Sequence, residues 1–119
     1  MGYIPVVQTV AETSVFSRKA ALLLTEESRT ELISYLANNP EAGDEIKGTG
    51  GVRKLRFRAK GKGKSGGVRV IYYVFNATIP LYALTIYGKN EKADLSAEEK
   101  KIVSALAARI KAAAKKKET

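Results

Sequence analysis

Between Lys54 and Arg58 a cation stands at every second position, with Leu55 and Phe57 between them (KLRFR). In a strand, side chains alternate with a period of two. Lys54, Arg56 and Arg58 would then share one face, and the two apolar residues the other. Arg69 stands near the start of the next apolar run, and Lys89 follows the one after it. Cations in such a cleft can bind phosphates, and they can also do chemistry on RNA. The 2′-hydroxyl of RNA can attack the adjacent phosphate without metal or histidine. The transition state gathers negative charge on the phosphoryl oxygens, and Arg or Lys groups aimed at them stabilise it. A lysine crowded by positive neighbours can serve as base. DNA lacks the 2′-hydroxyl and resists this route.

The surroundings favour a polyanion. From Ile46 to Asn90 there are ten Lys and Arg residues and no Asp or Glu, in a chain of net charge +9. A one-signed block of this kind attracts nucleic acid. The bland alternative is a solvated basic surface, with Arg69 snorkelling its head to water. Cysteine and histidine are both absent. That excludes disulfides, thiolate chemistry, zinc sites of the His/Cys kind and the Ser–His–Asp arrangement. A two-metal nuclease needs clustered carboxylates, and the basic block offers none. No metal and no cofactor is expected. The first residues, MGYIPVVQTVAETSVF, lack the basic and apolar regions of a signal peptide. No apolar run approaches the ~20 residues of a membrane span. A cytoplasmic protein with no membrane partner is the expectation.

At 119 residues the chain should form one domain, residues 1–119. A strand is predicted from Ile4 to Ala11, with Pro5 favouring an edge position or a strand start. Thr13 or Ser14 can cap a helix from about Val15 to Leu24, and Thr25 a second from Glu26 to Asn38. The connector EAGDEIKGTGG reads as turns. Three strands follow, Val52 to Arg58, Val68 to Phe75 and Leu81 to Tyr87, the first two joined by the loop AKGKGKSGG. Ser96 and Glu99 have capping-box spacing and open a last helix from about Ala97 to Lys115, with a frayed tail from about residue 111. The fold class expected is α+β, with the two N-terminal helices on one face of an antiparallel sheet of about four strands, in two layers, plus the C-terminal helix.

Two motif matches fail on context. Gly63-Lys64-Ser65 resembles the end of a phosphate-binding P-loop, but Arg58 stands where that pattern needs glycine, and a strand follows rather than a helix. Gly61, Gly63 and Gly66 match a dinucleotide fingerprint and fail for the same reason. Tyr72, Tyr73, Tyr82 and Tyr87 lie on predicted strands. Core packing suits most of them, leaving one or two to face the basic side, where they could stack on bases.

The strings PEAGDEIKGTGGVRKLRF, GKGKSGGVRVIYYV and LTIYGKNEKADLS resemble the RelE/HigB toxins of bacterial type II toxin–antitoxin systems, in the HigB-2-like branch. The resemblance spans about Val6 to Ala107. It implies an mRNA endonuclease acting in the ribosomal A site, so the ribosome and mRNA are expected partners. It also implies a neutralising antitoxin, which in some systems carries a helix-turn-helix domain; operator DNA would be met only through it. Lys54, Arg56, Arg69 and Lys89 match the family's catalytic cations. Arg53, Arg58, Lys60, Lys62, Lys64, Tyr87 and Asn90 are the expected RNA or ribosome contacts. Asn90 stands where the family has Arg, and Leu95 and Ser96 where it has a Tyr. Two other classes compete: a ParE-type inhibitor of DNA gyrase, and a plain RNA-binding module. The cationic strand face favours RNA over gyrase.

Overall fold

The computed structural model describes residues 7–58 and 67–117. Strand β1 (Val10–Glu12) leads into α1 (Ser14–Leu23) and α2 (Glu26–Asn38). Strands β2 (Asp44–Glu45), β3 (Arg53–Phe57), β4 (Val68–Tyr73) and β5 (Leu81–Gly88) follow, and α3 (Ala97–Lys117) ends the fold. Both N-terminal helices are capped by threonine. The Thr13 hydroxyl accepts the Phe16 N–H, and the Thr25 hydroxyl accepts that of Ser28. Each satisfies one of the N–H groups that the first turn leaves without an intrahelical partner.

The sheet has the order β1-β5-β4-β3-β2. The β3-β4-β5 meander is antiparallel, as alternation and short turns predict. Two features correct the expectation of a four-stranded antiparallel sheet. β1 pairs with β5 in parallel, which makes the sheet mixed. The glycine-rich connector also contributes β2, paired antiparallel with β3. A two-residue strand carries no periodic signal, and its pairing is a tertiary event. Of the predicted first strand, residues 4–6 lie outside the described region, and pairing starts only at Val10.

Both faces of the sheet are covered, so the fold has three layers rather than two. On one face Leu55, Val70, Tyr72 and Ile86 pack with Phe16, Ala20, Leu32 and Leu36 from α1 and α2. On the other, Val52, Ile71, Tyr73 and Tyr87 pack with Leu95, Val103 and Ala107. The tail expected to fray from about residue 111 is helical through Lys117, and Ala114 is buried.

A bulge in β5 decides which side chains meet. Ile71 pairs with Thr85 but Tyr72 pairs with Ala83, so Leu84 has no partner on β4. Strict alternation from Leu81 would put residue 87 on the α1/α2 face. The extra residue reverses the order beyond it. Ile86 therefore joins the α1/α2 core, and Tyr87 the α3 side. Thr13 holds the bulge, its hydroxyl donating to the Leu84 carbonyl at 2.8 Å.

Candidate nucleic-acid interface

The register across three strands places Arg56 opposite Arg69, and Arg69 opposite Tyr87. Directly opposed residues in an antiparallel pair have Cβ atoms about 4.5–5.5 Å apart, and like charges so placed repel. Two guanidinium groups side by side on an exposed part of a sheet need an anion between them to be favourable. Arg56 is exposed and Arg69 half-buried. Among the described residues, Arg69 donates only a long bond, 3.3 Å, to the carbonyl of its neighbour Val68. The expectation that Lys54 and Arg56 leave the Leu55 face holds. Leu55 is in the α1/α2 core, while Lys54 reaches the loop before α3.

The other expected site residues divide. Arg58 is exposed beyond the end of β3, and Lys89 and Asn90 are exposed in the turn after β5. The Lys89 N–H donates to the Gly67 carbonyl at 3.2 Å, so the turn closes on the start of β4. Lys89 and Asn90 line a small recess of about 60 Å³ with Leu23, Gly67 and Gly88, past the end of the Arg56–Arg69–Tyr87 row. Lys60, Lys62 and Lys64 lie outside the described residues.

Two expectations are corrected. Arg53 is not free for RNA. Its guanidinium donates to the carbonyls of Gly43 (2.6 Å) and Glu41 (3.1 Å) and pairs with Glu45, closing the turn into β2. Charge counting along the chain cannot see this use, because the carbonyls belong to a turn defined by tertiary contacts. Tyr87 is not a stacking platform either, since it is 1% exposed. Lys92 lies over its ring, 5.1 Å from the centroid, and its hydroxyl donates to the Ala93 carbonyl at 3.4 Å. Burial raises the pKa of its phenol, as does nearby Asp94, while Arg69 opposes them. Tyr87 ends the row, opposite Arg69, with its ring covered by Lys92.

Three residues that reading the basic block alone passes over complete the site. The loop between β5 and α3 brings Lys92, Asp94 and, with the first turn of α3, Glu99. The Lys54 ammonium donates to Asp94 at 2.6 Å. That hydrogen bond and charge lower the Asp94 pKa, with a smaller contribution from Lys100. Lys92 pairs with Glu99, whose pKa falls to about 2, first through that bond and then through the Ser96 N–H. The capping box is formed as its spacing predicts. Ser96 N–H donates to Glu99 at 2.8 Å, and the Glu99 N–H to the Ser96 hydroxyl at 3.1 Å. Glu99 thus ties the helix start to Lys92, which covers Tyr87. Leu95 is buried in the α3-side core.

An open cavity of about 480 Å³ beside the row is lined by Lys54, Arg56, Asp44, Glu45 and Ile46. Among the described residues no group of three or more acidic side chains could hold a metal ion.

Residues 11–119 match the family model of the RelE toxin of the RelE/RelB toxin–antitoxin system. The chain belongs to the RelE toxin family. It is similar in structure to a mutant of the E. coli toxin RelE in its free state, with a TM-score of 0.53 and 15% sequence identity. That match covers 72% of this chain and 87% of the other. At this identity the likeness concerns the RelE fold. Membership makes the chain a toxin of a toxin–antitoxin system. No helix among the described residues is long and apolar enough to cross a membrane.

Proposed function

We propose that this RelE-family toxin is a ribosome-dependent mRNA endonuclease that halts translation, and that a cognate antitoxin neutralises it. The observation that carries the reading is the pairing of Arg56 with Arg69 across β3 and β4, with Lys54 two residues from Arg56 on the same strand. Two opposed guanidinium groups suit the non-bridging oxygens of one phosphate, since each can donate two parallel bonds.

The reaction needs no cofactor. The 2′-oxygen forms a bond to phosphorus, and the bond from phosphorus to the 5′-oxygen breaks. A 2′,3′-cyclic phosphate and a 5′-hydroxyl result. The 2′-hydroxyl loses a proton to a base, and the leaving oxygen gains one. Arg56 and Arg69 stabilise the charge that builds on phosphorus. Removing one such donor costs about 10²–10³ in rate in comparable sites. Asp94, the carboxylate paired with Lys54, takes the proton of the 2′-hydroxyl, and the Lys54 ammonium gives one to the leaving 5′-oxygen. Arg58 after β3 and Lys89 after β5 are exposed at the same end of the sheet, flanking Gly67, and grip the strand beyond the reacting phosphate on that side.

Primer extension on messages after induction tests this. New 5′ ends within translated messages are expected, and their disappearance when ribosome entry is blocked. Arrested growth with no new 5′ ends would overturn cleavage and leave a protein that only binds.

A further inference from the structure

The outer face of α3 is a second cationic surface, separate from the strand row. From Lys100 to Lys117 the helix contains no Asp or Glu. Its buried stripe is Val103, Ala107 and Ala114. Lys100, Lys101, Arg109, Lys111 and Lys115 are exposed on the rest of its circumference. None of them takes part in the four salt bridges formed among the described residues. Between them the exposed side chains are Ala105, Ala108 and Ala112, at i, i+3 and i+7 on one line of the helix.

Apart from Lys115, which suits the negative end of the dipole in the last turn, these charges do not serve helix stability. Lys111 and Lys115 are a like-charge pair at i, i+4, which destabilises a helix. Lys100 and Lys101 lie at the positive end of the helix dipole. Lys100 also borders the strand row, close enough to Asp94 to help lower its pKa. α3 starts three residues after Asp94, the partner of Lys54, so the charged face begins beside the proposed cleavage site and runs away from it.

We propose that this face of α3 binds the backbone of duplex RNA. A row of alanines lets the helix axis come close, and the lysines and Arg109 beside it meet phosphates. The 21 residues of α3 span about 31 Å, enough to follow a duplex for roughly one turn. Protein interfaces are anchored by large aromatic and apolar side chains, and the alanine line offers none; the exposed Ile102 lies off that line and borders a cavity with Val15 and Leu84. Base readout in DNA uses Asn, Gln and Arg at base edges; α3 has no Asn or Gln. RNA is chosen over DNA because the face adjoins the proposed RNA site, and to that extent the inference rests on that reading.

The test is fluorescence anisotropy with a blunt 16-base-pair RNA duplex, which offers no single strand to the cleavage site. The triple variant Lys101→Gln, Lys111→Gln, Lys115→Gln keeps good helix formers in place; circular dichroism and a thermal melt confirm that it folds. It should bind the duplex at least tenfold more weakly at low salt. Its slope of log affinity against log salt should be shallower by about 2–3, at about 0.9 per lost phosphate contact. The double variant Arg56→Gln, Arg69→Gln should weaken binding of the same duplex by less than the triple variant does; a loss equal to or larger than the triple variant's would put the duplex on the strand row and overturn the proposal. Loss of cleavage would thus be separable from loss of duplex binding. Wild-type duplex affinity in the triple variant overturns the proposal. So does tighter binding of wild type to a DNA duplex of the same sequence, or to a poly-glutamate peptide.

Discussion

Replacing Arg69 by Met keeps an unbranched stem of similar length and removes the charge. For stability, two small terms oppose each other. The variant loses the Arg69–Val68 hydrogen bond, which at 3.3 Å is long and contributes a few tenths of a kcal/mol at most. It also loses the repulsion between Arg69 and the directly opposed Arg56, a cross-strand effect of about 0.2–1 kcal/mol. The net change should lie between about zero and 1 kcal/mol in favour of the variant, a rise in melting temperature of at most roughly 3–6 °C. Cleavage should respond very differently. If Arg69 faces the reacting phosphate, its loss should slow cleavage by about 10²–10³, or about 2.7–4 kcal/mol of transition-state stabilisation. The assay is single-turnover cleavage of a message on programmed ribosomes, paired with a thermal melt. Cleavage within about threefold of wild type in a folded variant would refute Arg69's role at the phosphate. A clear fall in melting temperature would refute the account of the opposed pair.

Two further outcomes follow from the local geometry. Gly67 has φ +74°, and a Cβ there would come within 2.3 Å of the Phe57 carbonyl oxygen; Gly67→Ala should therefore destabilise the fold by at least about 2 kcal/mol, read as a lower urea midpoint, and an unchanged midpoint would refute it. Glu99 has its pKa lowered from 4.5 to about 2, so its contribution is present above the unfolded value and is lost as pH falls between about 4.5 and 2. Its side chain is about a third exposed, so screening cuts the contribution to about 1 kcal/mol. Wild type should exceed Glu99→Gln by that amount in urea melts at pH 6 and match it at pH 2. An equal difference at both pH values would refute the linkage.

Much of this protein was legible in its sequence, because the signals involved are local. Thr13, Thr25 and the Ser96–Glu99 box mark helix starts through bonds made within one turn. Alternation along KLRFR separates Leu55 from Lys54 and Arg56, because a strand has a fixed period of two. The absence of histidine and cysteine excludes whole classes of chemistry without any structure.

Tertiary structure alone decided the rest. Arg53 lies in the same basic run as Arg56, yet the turn into β2 takes its guanidinium for the Gly43 and Glu41 carbonyls. Tyr87 stands in the row, opposite Arg69, because one unpaired residue, Leu84, reverses the alternation of β5; a bulge is a property of the pairing of two strands, not of either sequence. Asp94 and Lys92 lie outside the acid-free block. They reach Lys54 and Tyr87 only because α3 packs on the second face of the sheet and draws its leading loop over the strands. Local sequence determined which charges the chain carries and how the strand presents them. The long-range contacts determined which of those charges remain free to meet a phosphate.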